Sequence, residues 1–373
     1  MKIGLVGYKN SGKSSLFQWL TGIAPDPALA HSLQSAITAI PEDRFNELAK
    51  IYNPKKITYA SLEIVDTPGL ARDQHGNAHR LAQLREADAL VWVIPVFDGS
   101  QPDKEIDDFR DETIIADLEI VLNRIEKVIE QNRRPVPKAE HERLEFELSV
   151  LELLQTGLES NNPVKEEQLT PEQQRVVKGF RLLSGKPGMM IINTPDDETD
   201  LKQYKRYSQG NVPAMAVSIS LETELTQMPM EERESFLEEM QLPASDKAAV
   251  IRTILDASGQ MTFITAGEKE LRTWIIPKGG TAWEAAGAIH TDMAKGFIRA
   301  EVMKAEDLIR LGSERAVKAE NLVRREPKDY VVQDGDIILF HFSRKPPGKT
   351  HSHTGLYTAP HVLENKHTQN VPH

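Results

Sequence analysis

The chain has 373 residues, 39% of them hydrophobic, which is enough for two or three domains with substantial cores. Its 45 basic and 56 acidic residues give a net charge of −11, which excludes a grip on nucleic acid spread over the whole surface. The absence of cysteine excludes disulfides, thiolate zinc sites and a cysteine nucleophile. No apolar run approaches the length of a membrane span, and Met1 leads directly into a strand-like segment. We therefore expect a cytoplasmic protein without a membrane partner.

The first pattern in chain order is a strand, a loop and a helix. The apolar run from Ile3 to Val6 is followed by GYKNSGKSS and by an amphipathic stretch that ends at Gly22. The spacing G-x-x-x-x-G-K-[ST] predicts a phosphate-binding loop, because glycines let backbone amides turn toward phosphate oxygens at a helix N-terminus. The pattern assigns nucleotide contacts to Gly7, Asn10, Ser11, Gly12, Lys13, Ser14 and Ser15.

Three side chains of this loop have distinct predicted roles. Lys13 is expected to bridge the β- and γ-phosphates and to be catalytic, Ser14 to offer its hydroxyl to Mg²⁺, and Ser15 to bond the α-phosphate. A glycine-rich turn without a ligand is the alternative interpretation. The strand before the loop and the helix after it favour the phosphate loop.

A second motif follows a strand-like run, Leu62 to Val65. This run leads to Asp66 in the sequence DTPGL, which gives the pattern D-x-x-G through Gly69. An aspartate at a strand tip can hold a water bound to magnesium, so Asp66 and Ser14 are the predicted metal residues. The amide of Gly69 can follow a γ-phosphate and move when that phosphate leaves, and Gly69 is therefore a predicted catalytic residue.

A third motif, NTPD, follows the apolar run Met189 to Ile192. In an N-x-x-D loop, Asn193 would brace the neighbouring loops and the carboxylate of Asp196 would accept from the N1–H and the amine of guanine. Thr194 stands at the position beside the base, and Ser218 and Ile219 follow the next apolar run, where backbone amides can contact the base. The alternative is a proline turn in which Asp196 caps the next element.

Two heptad-like runs lie between these motifs and predict a helical arm. Leu118, Leu122, Ile125 and Ile129 form one seam, and Leu144, Leu148 and Leu151 form the other. The segment QNRRPVPK between them contains two prolines, so we expect the helices to pair antiparallel. Further on, ELRTWIIP and DGDIILFHF predict strands and TAWEAAGAIHTDMAKG predicts a helix, which suits a compact sheet packed on a helix.

These motifs together resemble the Obg-like ATPase (YchF) family of P-loop NTPases, which are related to translation factors of the TRAFAC type. The resemblance covers most of residues 1–343 and is most specific in FITAGEKELRTWIIPKGGTAWEAAGAIHTDMAKGFIRAEV and KDYVVQDGDIILFHF. READAL and RFNELAKIYNPKK match as well. The resemblance implies an α/β fold, with a mostly parallel sheet flanked by helices, an inserted antiparallel coiled-coil arm and a C-terminal β-grasp domain of the TGS type.

The resemblance also implies domain boundaries. Residues 1–100 and 186–260 would form the nucleotide-binding domain, 101–185 the arm, and 261–343 the TGS domain. Residues 344–373 lack periodicity and are predicted to be disordered.

The chain departs from the family at several site positions. The family has N-x-x-E at the base loop and prefers ATP, whereas this chain has Asp196. The family's magnesium-binding threonine falls near Ala30, with Ser32, Ser35 and Thr38 as candidate substitutes. The histidine tied to hydrolysis is replaced by Trp92. Because that histidine is missing, hydrolysis is expected to be slow or to use His75 or His79, for which a solvated loop side chain is the alternative. Leu70 stands where Ras-like proteins have a catalytic glutamine, as in the family's subclass, so the attacking water would need another residue to position it.

The sequence therefore predicts a magnesium-dependent purine nucleoside triphosphatase that acts as a conformational switch, with GTP or ATP as substrate. The resemblance implies the ribosome or its RNA as partner, and we expect a monomer. The alternative hypothesis is a nucleotide-binding scaffold with negligible hydrolysis. A P-loop kinase would explain Lys13 but would leave Asp66 and Asn193 without a role.

Overall fold

The computed structural model describes residues 1–29, 32–72, 77–97, 99–165 and 168–343, and the backbone of 354–356. The strands are β1 Lys2–Val6, β2 Gln34–Ala39, β3 Ile57–Thr58, β4 Ser61–Asp66, β5 Ala89–Pro95, β6 Gly188–Asn193, β7 Ala214–Val217, β8 Gln260–Thr265, β9 Leu271–Pro277, β10 Phe297–Lys304, β11 Arg324–Glu326, β12 Asp336–Ser343 and β13 Thr354–Leu356. The helices are α1 Lys13–Thr21, α2 Phe45–Tyr52, α3 Asn77–Leu84, α4 Pro102–Asn132, α5 Lys138–Glu159, α6 Pro171–Lys178, α7 Ile219–Leu225, α8 Met230–Glu239, α9 Lys247–Ala257, α10 Ala282–Ile289, α11 Thr291–Lys295, α12 Ala305–Leu311 and α13 Glu314–Ala319.

The chain divides into two compact units. The first contains Met1–Thr38 and Ser61–Ser258, and the second contains Ala39–Ala60 and the part of the chain from Gly259 onward. The sequence predicted that residues 1–100 would belong to the nucleotide-binding domain without interruption. The structure instead places residues 39–60 in the second unit, because Phe45 and Leu48 of α2 are buried in a core with Leu271, Leu308 and Val317.

The first unit is built on a six-stranded sheet in the order β2-β4-β1-β5-β6-β7. The pairs β1–β4, β1–β5, β5–β6 and β6–β7 are all parallel, as the sequence predicted. The strands are apolar along most of their length because helices cover parallel sheets on both faces. The register aligns Leu5 with Asp66, and Asn193 with Val217, so the three predicted motifs meet at the carboxyl edge of the sheet.

The arm is a pair of antiparallel helices, α4 and α5, as predicted. Arg124 pairs with Glu147 at 2.7 Å, and nearer the turn His141 contacts Asn132. The seam on α4 differs from the prediction: Leu122 and Ile129 are each 38% exposed, whereas Val121 and Val128 are fully buried. Either pair gives alternating steps of 3 and 4 when it is combined with Leu118 and Ile125. In the structure the smaller valines face α5, whereas Leu122 and Ile129 lie on the flank of α4.

The second unit is built on a mixed sheet in the order β11-β10-β12-β8-β9-β3. Helix α10 covers one face, where Ala282, Ala285 and Ala286 pack on Phe263 and Phe340. A capping box formed by Thr281 and Glu284 begins α10. The arrangement agrees with the predicted sheet packed on a helix.

Some predictions fall outside the described residues. The predicted disordered segment 344–373 lies there except for the backbone of β13, which pairs with β12. Within the described part of the chain, no helix is both long and apolar enough to cross a membrane.

Candidate nucleotide-binding site

The phosphate loop takes the conformation that its glycines permit. Gly12 lies in the left-handed region with φ of 99°, and a Cβ there would lie 2.3 Å from Nδ2 of Asn193. A Cβ on Gly7 would lie 2.6 Å from the carbonyl oxygen of Val93. Neither position can therefore carry a side chain without shifting its neighbours, which explains both glycines of the motif. Asn10, with φ of 63°, completes the turn.

The ammonium group of Lys13 lies inside this loop. The residue is 6% exposed, and its Nζ donates to the carbonyl oxygen of Tyr8 at 2.8 Å and lies 3.4 Å from Oγ of Ser11. Burial lowers the pKa of Lys13 to about 8, while the nearby Asp66 carboxylate acts in the opposite direction. A buried cation whose two hydrogen bonds go to neutral oxygens is costly, and the Asp66 carboxylate offsets this cost only in part.

Ser14 and Asp66 form the candidate metal position. The hydroxyl of Ser14 donates to Oδ2 of Asp66 at 2.7 Å. Oδ1 of Asp66 is buried and makes no hydrogen bond with any described residue. Burial raises the pKa of Asp66, whereas the Ser14 hydroxyl and the Lys13 ammonium lower it. A hydroxyl beside a carboxylate with a free oxygen fits Mg²⁺, which takes one or two protein oxygens together with water and phosphate oxygens.

The second motif is fastened to the phosphate loop by backbone hydrogen bonds. The amide of Leu70 donates to the carbonyl oxygen of Gly7, and the amide of Lys9 donates to the carbonyl oxygen of Leu70, both at 3.0 Å. The side chain of Leu70 is 1% exposed and packs among Val6, Leu81 and Leu84. It therefore points into the core, where it cannot orient a water molecule.

Asn193 connects the third motif to the phosphate loop. Its Nδ2 donates to the carbonyl oxygen of Ser11 at 3.0 Å, and its Oδ1 accepts from the amide of Ile219 at 3.3 Å. The hydroxyl groups of Thr194 and Ser218 lie 2.8 Å apart and are buried. The structure thus brings the loops that hold Ser11, Asn193 and Ser218 together, and Thr194 belongs to their internal bracing.

Asp196 is exposed and lies at the N-terminus of α7. Its Oδ1 accepts from the amide of Leu221 at 3.1 Å, so the carboxylate bonds to the first turn of α7. The alternative that Asp196 caps the next element is wrong, because Asp200 caps the following helical turn, Leu201–Tyr207. Its Oδ2 has no hydrogen bond to the described residues. One carboxylate oxygen therefore serves the helix, and the other faces outward.

The predicted switch and water-positioning residues have mixed outcomes. Ala30 and His75 lie outside the described residues. Thr38 is 7% exposed and donates to the carbonyl oxygen of Leu20 at 2.9 Å, which makes it a structural residue of β2. Ser32 and Ser35 are exposed. His79 is exposed on α3, and Trp92 packs edge-on against Phe109 with ring centroids 4.6 Å apart.

The sequence analysis missed a polar network beside the phosphate loop. The Tyr8 hydroxyl donates to Oε1 of Glu112, and the guanidinium of Arg72 pairs with Glu105 at 2.5 Å and lies over the Tyr8 ring. These groups border a polar cavity of about 690 Å³. Glu105 and Glu112 are seven residues apart and so share one helix face, which is the signal that could have indicated the network.

Comparisons with known proteins identify the family of this chain. The family model YchF-GTPase_C, described as a protein of unknown function, matches residues 260–343, and MMR_HSR1, described as a 50S ribosome-binding GTPase, matches residues 2–124. The ribosome-binding ATPase YchF of Bacillus subtilis (strain 168) is 33% identical over 366 residues, covering 91% of this chain and 98% of that protein. The chain belongs to the YchF/Obg-like ATPase family.

Two further matches support the assignment. Obg-like ATPase 1 of Oryza sativa subsp. japonica is 34% identical over 375 residues, which cover 94% of each chain. The structure of the Schizosaccharomyces pombe YchF GTPase matches with a TM-score of 0.76 at 26% identity, covering 91% of this chain and 97% of that one. The predicted family and the predicted P-loop α/β fold are confirmed.

Proposed function

We propose that this YchF-family chain binds a magnesium complex of a purine nucleoside triphosphate and hydrolyses it slowly, as a conformational switch. The observation that carries the proposal is the buried ammonium of Lys13, which lies inside the phosphate loop at the start of α1. The Asp66 carboxylate compensates this cation only in part, and an anion that enters the loop would complete the compensation. A polyphosphate at the N-terminus of α1 supplies that anion.

The phosphate contacts follow from the loop geometry. Lys13 would exchange the carbonyl oxygen of Tyr8 for phosphate oxygens, and the amides from Asn10 to Ser15 would point at the same group. Ser14 and Asp66 would hold Mg²⁺, which when bound would neutralise phosphate charge. Asp66 has a buried oxygen available for this position or for a water bound there.

The base would lie against the loops that Asn193 joins. Asn193 uses both side-chain atoms for bracing, so the direct base contacts are assigned to the outward oxygen of Asp196 and to backbone amides near Ser218 and Ile219. A carboxylate accepts from the N1–H of guanine but meets an acceptor at N1 of adenine. The relatives named above as ATPases make ATP the competing substrate.

The proposed reaction is hydrolysis of the nucleotide, to which the second motif contributes the amide of Gly69 but no side chain that positions water. The amide of Gly69 stands next to the loop and would donate to the γ-phosphate. Leu70 is apolar and buried, and Trp92 packs against Phe109, so neither is assigned to orient the attacking water. Slow turnover is the expected consequence.

The proposed partner is the ribosome, and the proposed role of the C-terminal unit is that of a TGS domain. For the ribosome, support comes from relatives described as ribosome-binding ATPases and from the ribosome-binding GTPase family that matches residues 2–124. Nucleotide binding would act on the second motif, which is bonded to the phosphate loop, and through it on the arm.

Isothermal titration with MgATP and MgGTP, followed by single-turnover hydrolysis, tests the proposal. We expect heat of binding with at least one nucleotide and release of phosphate above the rate without protein. No heat with either nucleotide would refute the proposal. Binding without phosphate release would favour the alternative, a nucleotide-binding scaffold, which the positions of Leu70 and Trp92 make the main competitor.

A further inference from the structure

Lys9, the third residue of the phosphate loop, has a fixed backbone and a free side chain. Its amide donates to the carbonyl oxygen of Leu70 at 3.0 Å. Its side chain is exposed, and its ammonium makes no hydrogen bond or ion pair with the described residues. The residue lines the polar cavity of about 690 Å³ beside the loop. A cation on a phosphate loop with no partner among the residues that the structure describes is a candidate for contact with the ligand.

Gly69 shows how close Lys9 lies to the expected γ-phosphate. A Cβ on Gly69 would lie 3.0 Å from Cα of Lys9 and 3.1 Å from Nζ of Lys13. By the triangle inequality, Cα of Lys9 and Nζ of Lys13 are therefore at most about 6 Å apart. An extended lysine side chain spans about 6 Å from Cα to Nζ, given bonds of about 1.5 Å. The Lys9 ammonium can consequently reach an oxygen that is bonded to Lys13.

The other cations at this cavity have different environments. Arg72 is paired with the buried carboxylate of Glu105 and lies over the ring of Tyr8, 5.4 Å from its centroid. Lys104 is on α4, beyond the loop itself. Moving Arg72 to a phosphate would leave Glu105 buried and uncompensated, which is costly. Lys9 can turn toward the phosphate without breaking an interaction of this kind.

The reaction creates charge where Lys9 can reach. The oxygen of water forms a bond to the γ-phosphorus, the bond from phosphorus to the bridging oxygen breaks, and its electron pair remains on the β-phosphate. The products are the nucleoside diphosphate, inorganic phosphate and one proton released to solvent. Negative charge is redistributed over the transferring group and the bridging oxygen in a loose transition state, and a positive charge placed beside them lowers the barrier.

We propose that Lys9 is a catalytic residue that contacts the γ-phosphate and stabilises the transition state of hydrolysis from within the same chain. This inference rests on the proposed function. It assigns to a loop lysine the positive charge that a partner supplies in many nucleotide switches. It also gives the site a charged catalytic group, which neither the buried Leu70 nor Trp92 supplies.

The test uses the full chain and the variants Lys9→Met, Lys9→Arg and Lys104→Met, the last as a control for a second lysine in the same cavity. Since Lys9 is exposed, Lys9→Met should keep the thermal unfolding midpoint of the parent. We expect Lys9→Met to lower the single-turnover rate constant by about 10- to 100-fold, with a change in nucleotide Kd of less than about threefold. Lys9→Arg should retain most of the rate, and Lys104→Met should match the parent.

The outcomes separate this inference from the proposed function. A parent that hydrolyses the nucleotide together with an unimpaired Lys9→Met would overturn the role of Lys9 alone. Equal losses in affinity and in kcat/KM, at unchanged kcat, would also overturn it, since Lys9 would then bind substrate and transition state equally. A parent without any hydrolysis would overturn both proposals.

Discussion

The hydroxyl of Tyr8 donates to Oε1 of Glu112 at 3.0 Å and so joins the phosphate loop to the first helix of the arm. The other oxygen of Glu112 accepts from Nδ2 of Asn77 at 2.9 Å. Oδ1 of Asn77 accepts from the amide of Ala71 at 2.8 Å. A continuous path of buried and partly buried hydrogen bonds therefore runs from the phosphate loop through α4 to the segment after Gly69. Such a path allows the state of one loop to influence the other.

Tyr8→Phe should loosen this path. We expect the free energy of unfolding to fall by about 1–2 kcal/mol, because Glu112 loses a donor while buried. Amide exchange at Ala71 and in α3 should become faster. Tyr204→Phe is the matched control, since the Tyr204 hydroxyl also donates to a carboxylate, that of Glu198, at 2.7 Å. Faster exchange in α3 with the control as well would show that Tyr8 has no specific connection to α3.

Lys13→Met should separate function from stability. Met has nearly the same length and no charge, so the variant removes a buried cation that Asp66 compensates only in part. We expect the free energy of unfolding of the nucleotide-free protein at pH 7 to rise by about 1–2 kcal/mol. Nucleotide binding, measured by titration calorimetry, should be lost. A destabilised Lys13→Met would mean that the ammonium is fully satisfied by Tyr8 and Ser11.

The lowered pKa of Lys13 predicts how binding depends on pH. The folded protein without nucleotide releases this proton near pH 8, whereas the unfolded chain holds it up to its ordinary value of 10.5. Stability of the nucleotide-free protein should therefore rise with pH between these values, since the unfolded chain binds more protons there. Phosphate stabilises the charged ammonium, so nucleotide binding at pH 8.5 should take up a proton.

Calorimetry in buffers of different ionisation enthalpy measures that proton. At about pH 8.5 we expect an uptake of a substantial fraction of one proton per nucleotide, which vanishes near pH 6, where Lys13 is already charged. Identical binding enthalpies in all buffers at both pH values would contradict the assignment.

Asp196→Asn should distinguish base recognition from helix capping. Asparagine keeps an oxygen that can accept from the amide of Leu221, so the free energy of unfolding should stay within about 0.5 kcal/mol of the parent. The loss of the carboxylate should lower affinity for GTP by about tenfold relative to ATP. Competition binding of the two nucleotides measures the ratio. An unchanged ratio would leave Asp196 with the capping role alone.

The packing of α4 against α5 predicts different losses of stability for substitutions at two neighbouring residues. Val121→Ala removes buried methyl groups from the contact between α4 and α5 and should cost about 1–3 kcal/mol of unfolding free energy. Leu122→Ala, one residue further on, removes a larger side chain that is 38% exposed and should cost less. Urea denaturation of the full chain compares them. A larger loss for Leu122→Ala would place the seam where the sequence pattern alone put it.

A structural feature could be predicted from the sequence when a short stretch of the chain carries its pattern. The phosphate loop, Asp66 and Asn193 each follow their own strand, so their meeting at one sheet edge followed from parallel topology. The bond between Tyr8 and Glu112 spans 104 residues and has no local pattern. The placement of Phe45 in the second unit depends on partners as distant as Leu308. The seam of α4 was predicted wrongly at two positions, because both residues of an adjacent apolar pair fit the period. The prediction chose Leu122 and Ile129, whereas Val121 and Val128 are the buried residues.

Helix α4 runs for 31 residues, and its interior contains neither proline nor glycine. The stretch from Glu112 to Asn132 measures about 30 Å at the helical rise. A tilt of about 10° at Glu112 would thus carry the far end through about 5 Å, a displacement greater than the width of a water molecule. A small rotation of α4 about Glu112, the residue bonded to Tyr8, would therefore produce a much larger displacement at the far end of the helix.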